Sequence, residues 1–125
     1  MILCDTNILI ELYKNNSFII KELRKIGSKE IAISIITQAE LYYGALNKRE
    51  LQLIKKHLSQ IEIIAVDLSI SQYFIQLMEN YALSHKLAIP DALIAATAII
   101  NNFDLYTLNK KDFCFVSNLR LYEYP

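Results

Sequence analysis

The sequence predicts an α/β fold in a single domain, with a mostly parallel sheet that helices cover on both faces. Short apolar runs alternate with longer amphipathic stretches along all 125 residues, which is typical of strand–helix–strand units. The apolar runs are continuous, as in strands buried on both faces. Hydrophobic residues make up 54% of the chain and charged residues 21%, a composition that supports a sizeable core. We therefore expect one domain over residues 1–125.

Five short apolar runs are predicted to be strands. Most are rich in the Ile, Leu, Val and Tyr side chains that favour strands, and turn or helix-start residues follow them. A sheet of four to five strands is therefore expected. In chain order the runs are residues 2–4, 31–34, 61–66, 105–107 and 121–123.

Helices are predicted between these strands, because apolar residues recur there at helical spacing. Their ends carry Asn, Ser, Asp or Thr as starting caps, Gly as an end, or Pro in the first turn. Gly44 either packs closely against a neighbour or ends its helix. The predicted helices are residues 8–14, Asn16 or Ser17 to Gly27, Thr37 to about Leu46, a helix around Leu51 to Leu58, Asp67 or Ser69 to about Lys86, a very apolar helix from Pro90, and one turn over 109–112.

Composition excludes several kinds of functional site. The two glycines are too few for a phosphate-binding glycine loop. Two Cys and two His, all far apart, cannot form a zinc finger or ribbon. Lys plus Arg and Asp plus Glu both number 13, so no overall basic charge indicates nucleic acid, although a neutral sum allows a local basic face.

The beginning of the chain and its longest apolar run favour a cytoplasmic protein with no membrane contact. Residues 1–5 contain no basic leader or cleavage signal. The apolar run over 92–100 is too short to span a bilayer. Cys4 and Cys114 lie among apolar residues, and we expect both thiols to be buried and reduced.

Three carboxylates occur where a core would not place them. Asp5 directly follows the first strand, Glu40 follows the second, and Asp91 lies in the most apolar part of the chain. Taken singly, each could cap a helix or favour a helix N-terminus by its charge. Carboxyl ends of parallel strands share one edge of a sheet, so all three can meet there. Their repulsion and lost hydration would be relieved by a divalent cation, and oxygen ligands suit Mg²⁺ or Mn²⁺ better than zinc.

A fourth polar position follows the short strand at 105–107. Asn109 and Asp112 are three residues apart, so a helical turn would let both face the same cleft. Either residue could equally be an ordinary turn or cap residue. Thr107 could contact a carboxylate or phosphate, or simply end the strand. Thr6 and Asn7 could orient the helix after Asp5 or touch the ligands of a metal.

At these residues the chain resembles PIN-domain ribonucleases, above all the VapC-type toxins of toxin–antitoxin pairs. Four segments follow the family's order and spacing and together are specific, although each alone is weak. They are Asp5-Thr6-Asn7, Ala39-Glu40-Leu41-Tyr42-Tyr43-Gly44-Ala45, Pro90-Asp91-Ala92-Leu93-Ile94-Ala95-Ala96-Thr97-Ala98 and Thr107-Leu108-Asn109-Lys110-Lys111-Asp112-Phe113.

The resemblance implies a three-layer α/β/α sandwich and an Mg²⁺- or Mn²⁺-dependent endoribonuclease that inhibits translation or growth until its antitoxin neutralises it. It implies Asp5, Glu40 and Asp91 as metal ligands, a VapB-type antitoxin, a homodimer, and DNA contact only through the antitoxin. Many relatives carry Asp where this chain has Asn109. Either Asn109 holds a metal-bound water or Asp112 takes over.

Two alternatives stay open at the level of sequence. A receiver-like regulatory module would use Asp67, which follows the third strand, as phosphoacceptor, although such modules have an acidic pair after strand one and here Thr6 follows Asp5. A catalytically degenerate PIN scaffold would only bind partners. The presence of all three acids disfavours the hypothesis of a scaffold without catalysis.

Overall fold

The computed structural model describes all 125 residues and contains four strands and six α-helices. Two short 3-10 turns lie at Ser28–Glu30 and Lys110–Asp112. The strands are β1 (Ile2–Cys4), β2 (Ile31–Ser34), β3 (Glu62–Ile64) and β4 (Asp104–Tyr106), and the helices are α1 (Thr6–Tyr13), α2 (Ser17–Ile26), α3 (Ile35–Tyr43), α4 (Lys48–Leu58), α5 (Leu68–His85) and α6 (Ile89–Asn101).

All four strands are parallel, in the order β3-β2-β1-β4. Ile2 of β1 lies opposite Ile31 on one side and Asp104 on the other. The chain builds outward from β1 through β2 to β3 and then returns to add β4 on the other side of β1. The carboxyl ends of β1 and β4 therefore flank the point where the strand order reverses, which is where open α/β sheets form their sites.

Alternate strand residues face two separate cores, because successive side chains of a strand point to opposite faces. Leu3, Ala32 and Leu105 pack with α5, α6 and the segment around Phe113. Their strand neighbours, which include Cys4 and Ile33, pack with the first four helices. Helices on both faces of one sheet confirm the predicted α/β/α sandwich, with four strands.

The first two strands are confirmed at the predicted residues, and two predicted caps form. Asn16 accepts the N–H groups of Phe18 and Ile19 at the start of α2. Asp67 accepts the N–H of Ile70 at 2.8 Å at the start of α5. Both bonds satisfy donors that a helix start leaves unpaired.

Helix α3 does not start at Thr37, as the sequence analysis expected. Ser34, the last residue of β2, accepts the N–H of Ile36 at 3.2 Å, so the strand passes into the helix without a loop. The helix ends at Tyr43 with Gly44 as its cap. A Cβ added at Gly44 would meet only backbone oxygens, at 3.5 and 3.9 Å. Gly44 therefore ends the helix and is not required by close packing.

The predicted strand over residues 121–123 does not form. Leu121 makes one isolated bridge to Leu105, flanked by bonds from Leu105 N–H to the carbonyl of Arg120 and from Tyr122 N–H to the carbonyl of Leu105. The segment thus follows β4 for about one residue pair.

The predicted burial of the two cysteines is right for Cys4 and wrong for Cys114, which is exposed. Phe113, its neighbour, turns into the core and is 1% exposed. None of the helices combines the length and apolar character needed to cross a membrane.

Candidate active site

Asp5 lies at the centre of the candidate site, immediately after β1. Its N–H donates to the carbonyl of Tyr106 at 2.9 Å, which ties it to the end of β4. One carboxylate oxygen accepts the N–H of Thr6 at 2.8 Å, and the other accepts the Thr107 hydroxyl at 2.7 Å. The residue is 5% exposed. A buried carboxylate needs such donors, and here they come from the first residue of α1 and from the loop after β4.

Glu40 is brought to the same place by Thr6 and α3. The Thr6 hydroxyl lies 2.7 Å from a Glu40 carboxylate oxygen and 3.0 Å from the hydroxyl of Thr37. A hydroxyl has one proton, and an ionised carboxylate only accepts, so Thr6 donates to Glu40 and accepts from Thr37. Thr37 is fully buried. The sequence predicts Thr37 only as a helix start, and its position one turn before Glu40 is the one local signal for its contact with Thr6.

Asp91 approaches the other two acids from the first turn of α6, where Pro90 also lies. Burial raises the pKa of Asp91 to about 6, and the negative charges of Asp5, Asp112 and Glu40 add to the shift. No side chain caps the helix at Ala88, and Asp91 is the one acidic residue of its first turn. Burial, followed by the charges of the neighbouring carboxylates, raises this pKa although Asp91 lies at a helix N-terminus.

Burial also raises the pKa of Asp5. Hydrogen bonds from Thr107 and the Thr6 backbone oppose this shift, while the charges of Glu40 and Asp112 increase it. Asp5 is thus held by donors and repelled by acids at the same time. Asp5 and Asp91 thus share a cluster of carboxylates in which burial and neighbouring negative charge disfavour their own ionised forms.

The structure separates the two candidates for the fourth position. Asp112 lies in the 3-10 turn and is near enough for its charge to raise the pKa values of both Asp5 and Asp91. Asn109 is exposed and does not cap the turn with its side chain. It contributes its backbone N–H, which donates to the Thr107 hydroxyl oxygen at 3.0 Å.

The remaining supporting residues connect the loops that carry the acids. Asn7 accepts the N–H of Leu108 at 3.4 Å, a long bond between α1 and the loop after β4. Thr107 is 1% exposed and joins Asp5 to Asn109 through one hydroxyl. Thr107 therefore contacts a carboxylate and does more than end the strand.

No cation of the protein balances this negative cluster. The four ion pairs of the chain join Met1 to Glu30, Lys14 to Glu11, Lys110 to Glu123 and Arg120 to Asp104. No three carboxylate, imidazole or thiol groups are close enough to ligate one ion directly. Oxygen donors that bind partly through water suit Mg²⁺, which usually retains several water ligands, and related hard cations. The donor set therefore fits Mg²⁺ or Mn²⁺.

Comparison with known proteins identifies the family to which this arrangement belongs. The family model of the PIN domain matches residues 2–118. The chain belongs to the PIN-domain family. The match spans all four strands and every acidic residue of the site.

Similar proteins place this PIN domain among VapC toxins. Ribonuclease VapC1 of Methanocaldococcus jannaschii is 34% identical over 116 residues, which cover 90% of this chain and 78% of that protein. The tRNA(fMet)-specific endonuclease VapC of Shigella flexneri is 29% identical over 121 residues, which cover 93% of this chain and 92% of that protein. The resemblance to VapC-type ribonucleases is confirmed.

Solved structures agree with this placement. A toxin–antitoxin complex from Klebsiella pneumoniae contains a chain that is 34% identical, with a TM-score of 0.83 and coverage of 99% of this chain and 100% of that one. VapBC2 of Rickettsia felis, bound to a DNA fragment from its promoter, contains a chain that is 32% identical, with a TM-score of 0.83 and full coverage of both chains. The three-layer fold is thus the PIN fold of these toxins.

The acidic cluster predicts that Asp91→Asn stabilises the metal-free protein near pH 7. The folded pKa of about 6 lies above the unfolded value of about 4, so wild-type stability falls as pH rises between these values. Asn cannot ionise, so the variant avoids that loss. In EDTA at pH 7 we expect the melting temperature of Asp91→Asn to exceed that of wild type by about 2 °C or more. The expected increase is modest because Asp91 is half-exposed and solvent screens part of the repulsion.

Thermal melts at pH 4 and pH 7 check this prediction, and the difference should be much smaller at the lower pH. Glu79→Gln, which removes an exposed acid from α5, is the matched control and should change neither melt. Saturating Mg²⁺ should stabilise wild type more than Asp91→Asn. A variant less stable than wild type in EDTA at pH 7 would make Asp91 a structural helix residue instead.

Proposed function

We propose that this chain is a cytoplasmic endoribonuclease that depends on Mg²⁺ or Mn²⁺ and acts as the toxin of a VapBC-type pair. The observation that carries the proposal is the cluster of four carboxylates at the carboxyl edge of a PIN-domain sheet, with no balancing cation. Similarity to named VapC ribonucleases supports cleavage of RNA. One relative is named for tRNA(fMet), which makes that tRNA the first substrate to test.

Asp5, Glu40 and Asp91 are the residues that would hold the ion, directly or through water, with Asp112 as a fourth acid. A bound divalent ion lowers the pKa of a coordinated water and stabilises negative charge on a phosphodiester transition state. The chain's own residues fix the ligands. Thr107 and the Thr6 backbone hold Asp5, and the Thr6 hydroxyl holds Glu40.

Asp67 is poorly suited to the phosphoacceptor role of a receiver-like module. Its side chain accepts the N–H of Ile70 as the cap of α5. It also follows the edge strand β3, away from the switch between β1 and β4. Its cap role explains its presence without phosphorylation.

The chain would be neutralised by a VapB-type antitoxin that binds in an apolar groove beside Glu40. The groove has a volume of about 960 Å³ and lies between α1, α3 and α4. Ile10, Leu46 and Leu53, which are 41%, 84% and 59% exposed, belong to its lining. A peptide with apolar side chains and one Arg or Lys directed at Glu40 would fit this combination. DNA would be contacted only through the antitoxin.

We also propose that the chain forms a homodimer through α5. Helix α5 presents three apolar side chains to solvent at spacings of seven and eight residues, which places them on one face. They are Leu68, Ile75 and Leu83, at 73%, 52% and 88% exposure. A second copy would cover such a stripe.

Removal of any one central acid should abolish cleavage. We expect Asp5→Asn, Glu40→Gln and Asp91→Asn each to reduce the rate at least about 100-fold, because each removes charge that a cation and the transition state require. Cleavage of a tRNA(fMet) transcript and of total RNA with Mg²⁺, Mn²⁺ or EDTA measures this. Glu79→Gln should cleave as wild type. A folded wild type that cleaves neither RNA with either ion would support the degenerate scaffold.

The same cleavage assay distinguishes whether Asp112 or Asn109 acts as the fourth residue of the site. We expect Asp112→Asn to lower the cleavage rate at least about tenfold, since its charge acts on both Asp5 and Asp91. Asn109→Ala keeps the backbone N–H that bonds Thr107 and should lower it about twofold or less. The reverse order would assign the role to Asn109, and two negligible effects would remove both from the site.

The groove predicts a selective effect of charge on antitoxin binding. Leu53→Glu places a carboxylate in the apolar lining and should weaken binding at least about tenfold. Gln52→Glu adds the same charge to the same helix outside the groove and should not change affinity. Calorimetry with the purified product of a neighbouring small reading frame measures both. Unchanged affinity for Leu53→Glu would exclude this groove as the binding site.

A further inference from the structure

The segment over residues 120–124 ends against the loop that follows β4. Its first residues pair with Leu105, and Tyr122 donates its hydroxyl to the buried carboxylate of Glu22 on α2. The ring of Tyr106 lies between two others, with its centroid 5.1 Å from that of Tyr122 and 5.2 Å from that of Tyr124. These contacts fix the course of the segment, and Tyr124 reaches the functional edge of the sheet.

Tyr124 contacts both ends of the loop that carries Asn109. Its hydroxyl donates to the carbonyl of Thr107 at 3.2 Å. The Lys110 ammonium lies 4.3 Å from the centre of its ring, within the range of a cation–π contact. Glu123, the preceding residue, lies 3.8 Å from the same ammonium. One short segment therefore contacts the residues on either side of Leu108 and Asn109.

Thr107 connects these contacts to the acids. Its carbonyl accepts from Tyr124, while its hydroxyl donates to Asp5 and accepts the N–H of Asn109. A shift of its backbone would move the donor that holds the most buried carboxylate of the site. Lys110 begins the 3-10 turn that contains Asp112. The two contacts of Tyr124 thus act on the residues that position Asp5 and Asp112.

We propose that Tyr124 is a positioning residue that fixes the loop over residues 107–110, and through Thr107 the carboxylate of Asp5, for RNA cleavage. This inference rests on the proposed ribonuclease function. Tyr124 touches none of the acids and acts through its two loop contacts. Displacements of about 1 Å in a catalytic group are costly, so one hydrogen bond outside the acidic cluster can influence the rate.

Tyr124→Phe is the decisive variant because it removes the bond to Thr107 and keeps the ring against Tyr106 and Lys110. Tyr81→Phe is the matched control. The Tyr81 hydroxyl accepts the N–H of Ser117 at 3.2 Å and donates to the Ser117 hydroxyl at 3.3 Å, and its ring packs edge-on against Phe115. None of these contacts involves an acid of the site or the loop over residues 107–110. Both variants lose one hydroxyl that bonds the backbone, so they should change the melting temperature alike.

We expect Tyr124→Phe to lower kcat about fivefold with KM for the cleaved RNA unchanged, and Tyr81→Phe to leave both at wild-type values. A residue with a merely structural role would alter the folded fraction and not kcat below the melting temperature. Tyr124→Leu also removes the ring from Lys110 and should lower kcat further. Wild-type kcat in Tyr124→Phe would overturn the proposal.

Amide exchange of the metal-free protein, followed by NMR, tests the same contact without activity. The Asn109 amide should exchange about fivefold faster in Tyr124→Phe, because its acceptor Thr107 is less firmly held, while the Asp5 amide stays protected. Unchanged exchange at Asn109 would overturn the proposal. If wild type cleaves no RNA, the ribonuclease function fails, and exchange alone decides whether Tyr124 fixes the loop.

Discussion

The organisation of this molecule depends on one buried carboxylate at the switch point of the sheet. Asp5 is almost inaccessible to solvent, and an isolated buried charge is very costly. Its two side-chain bonds come from the residue that starts α1 and from Thr107 after β4. Neighbouring strands and loops must therefore stay in register for the charge to be tolerated. The fold and the site are fixed by the same contacts.

The threonines determine how the acids are arranged. Thr6 and Thr107 each donate to a carboxylate while their hydroxyl oxygens accept from another group. Such linked bonds orient Glu40 and Asp5 without neutralising them, because a hydroxyl carries no charge. A Lys or Arg in either place would satisfy the same oxygens and remove the negative potential. The threonines therefore hold the carboxylates in place and leave the negative potential of the cluster unneutralised.

Elements whose structure depends on local chemistry lie where the sequence predicts them. The runs at β1 and β2 are continuous and apolar, and helix caps such as Asn16 and Asp67 act on residues two or three positions away. The predictions for the start of α3 and for residues 121–123 were wrong. The helix after β2 starts early because Ser34 caps it directly. Residues 121–123 form only one bridge to β4, and the side chain of Tyr122 bonds Glu22 on α2.

The sequence by itself determined the fold class and the convergence of Asp5 and Glu40, because parallel strands bring their carboxyl ends to one edge wherever they lie in the chain. Asp91 approaches them from the first turn of α6. Only the tertiary structure decided which of Asn109 and Asp112 lies near those acids, since Asn109 precedes the 3-10 turn with a non-helical backbone, and the shared facing of residues three apart in a helical turn does not extend to it. It alone also placed Tyr124 against Thr107. That bond depends on how the last segment runs beside β4. Residue spacing within the segment does not predict such a long-range contact.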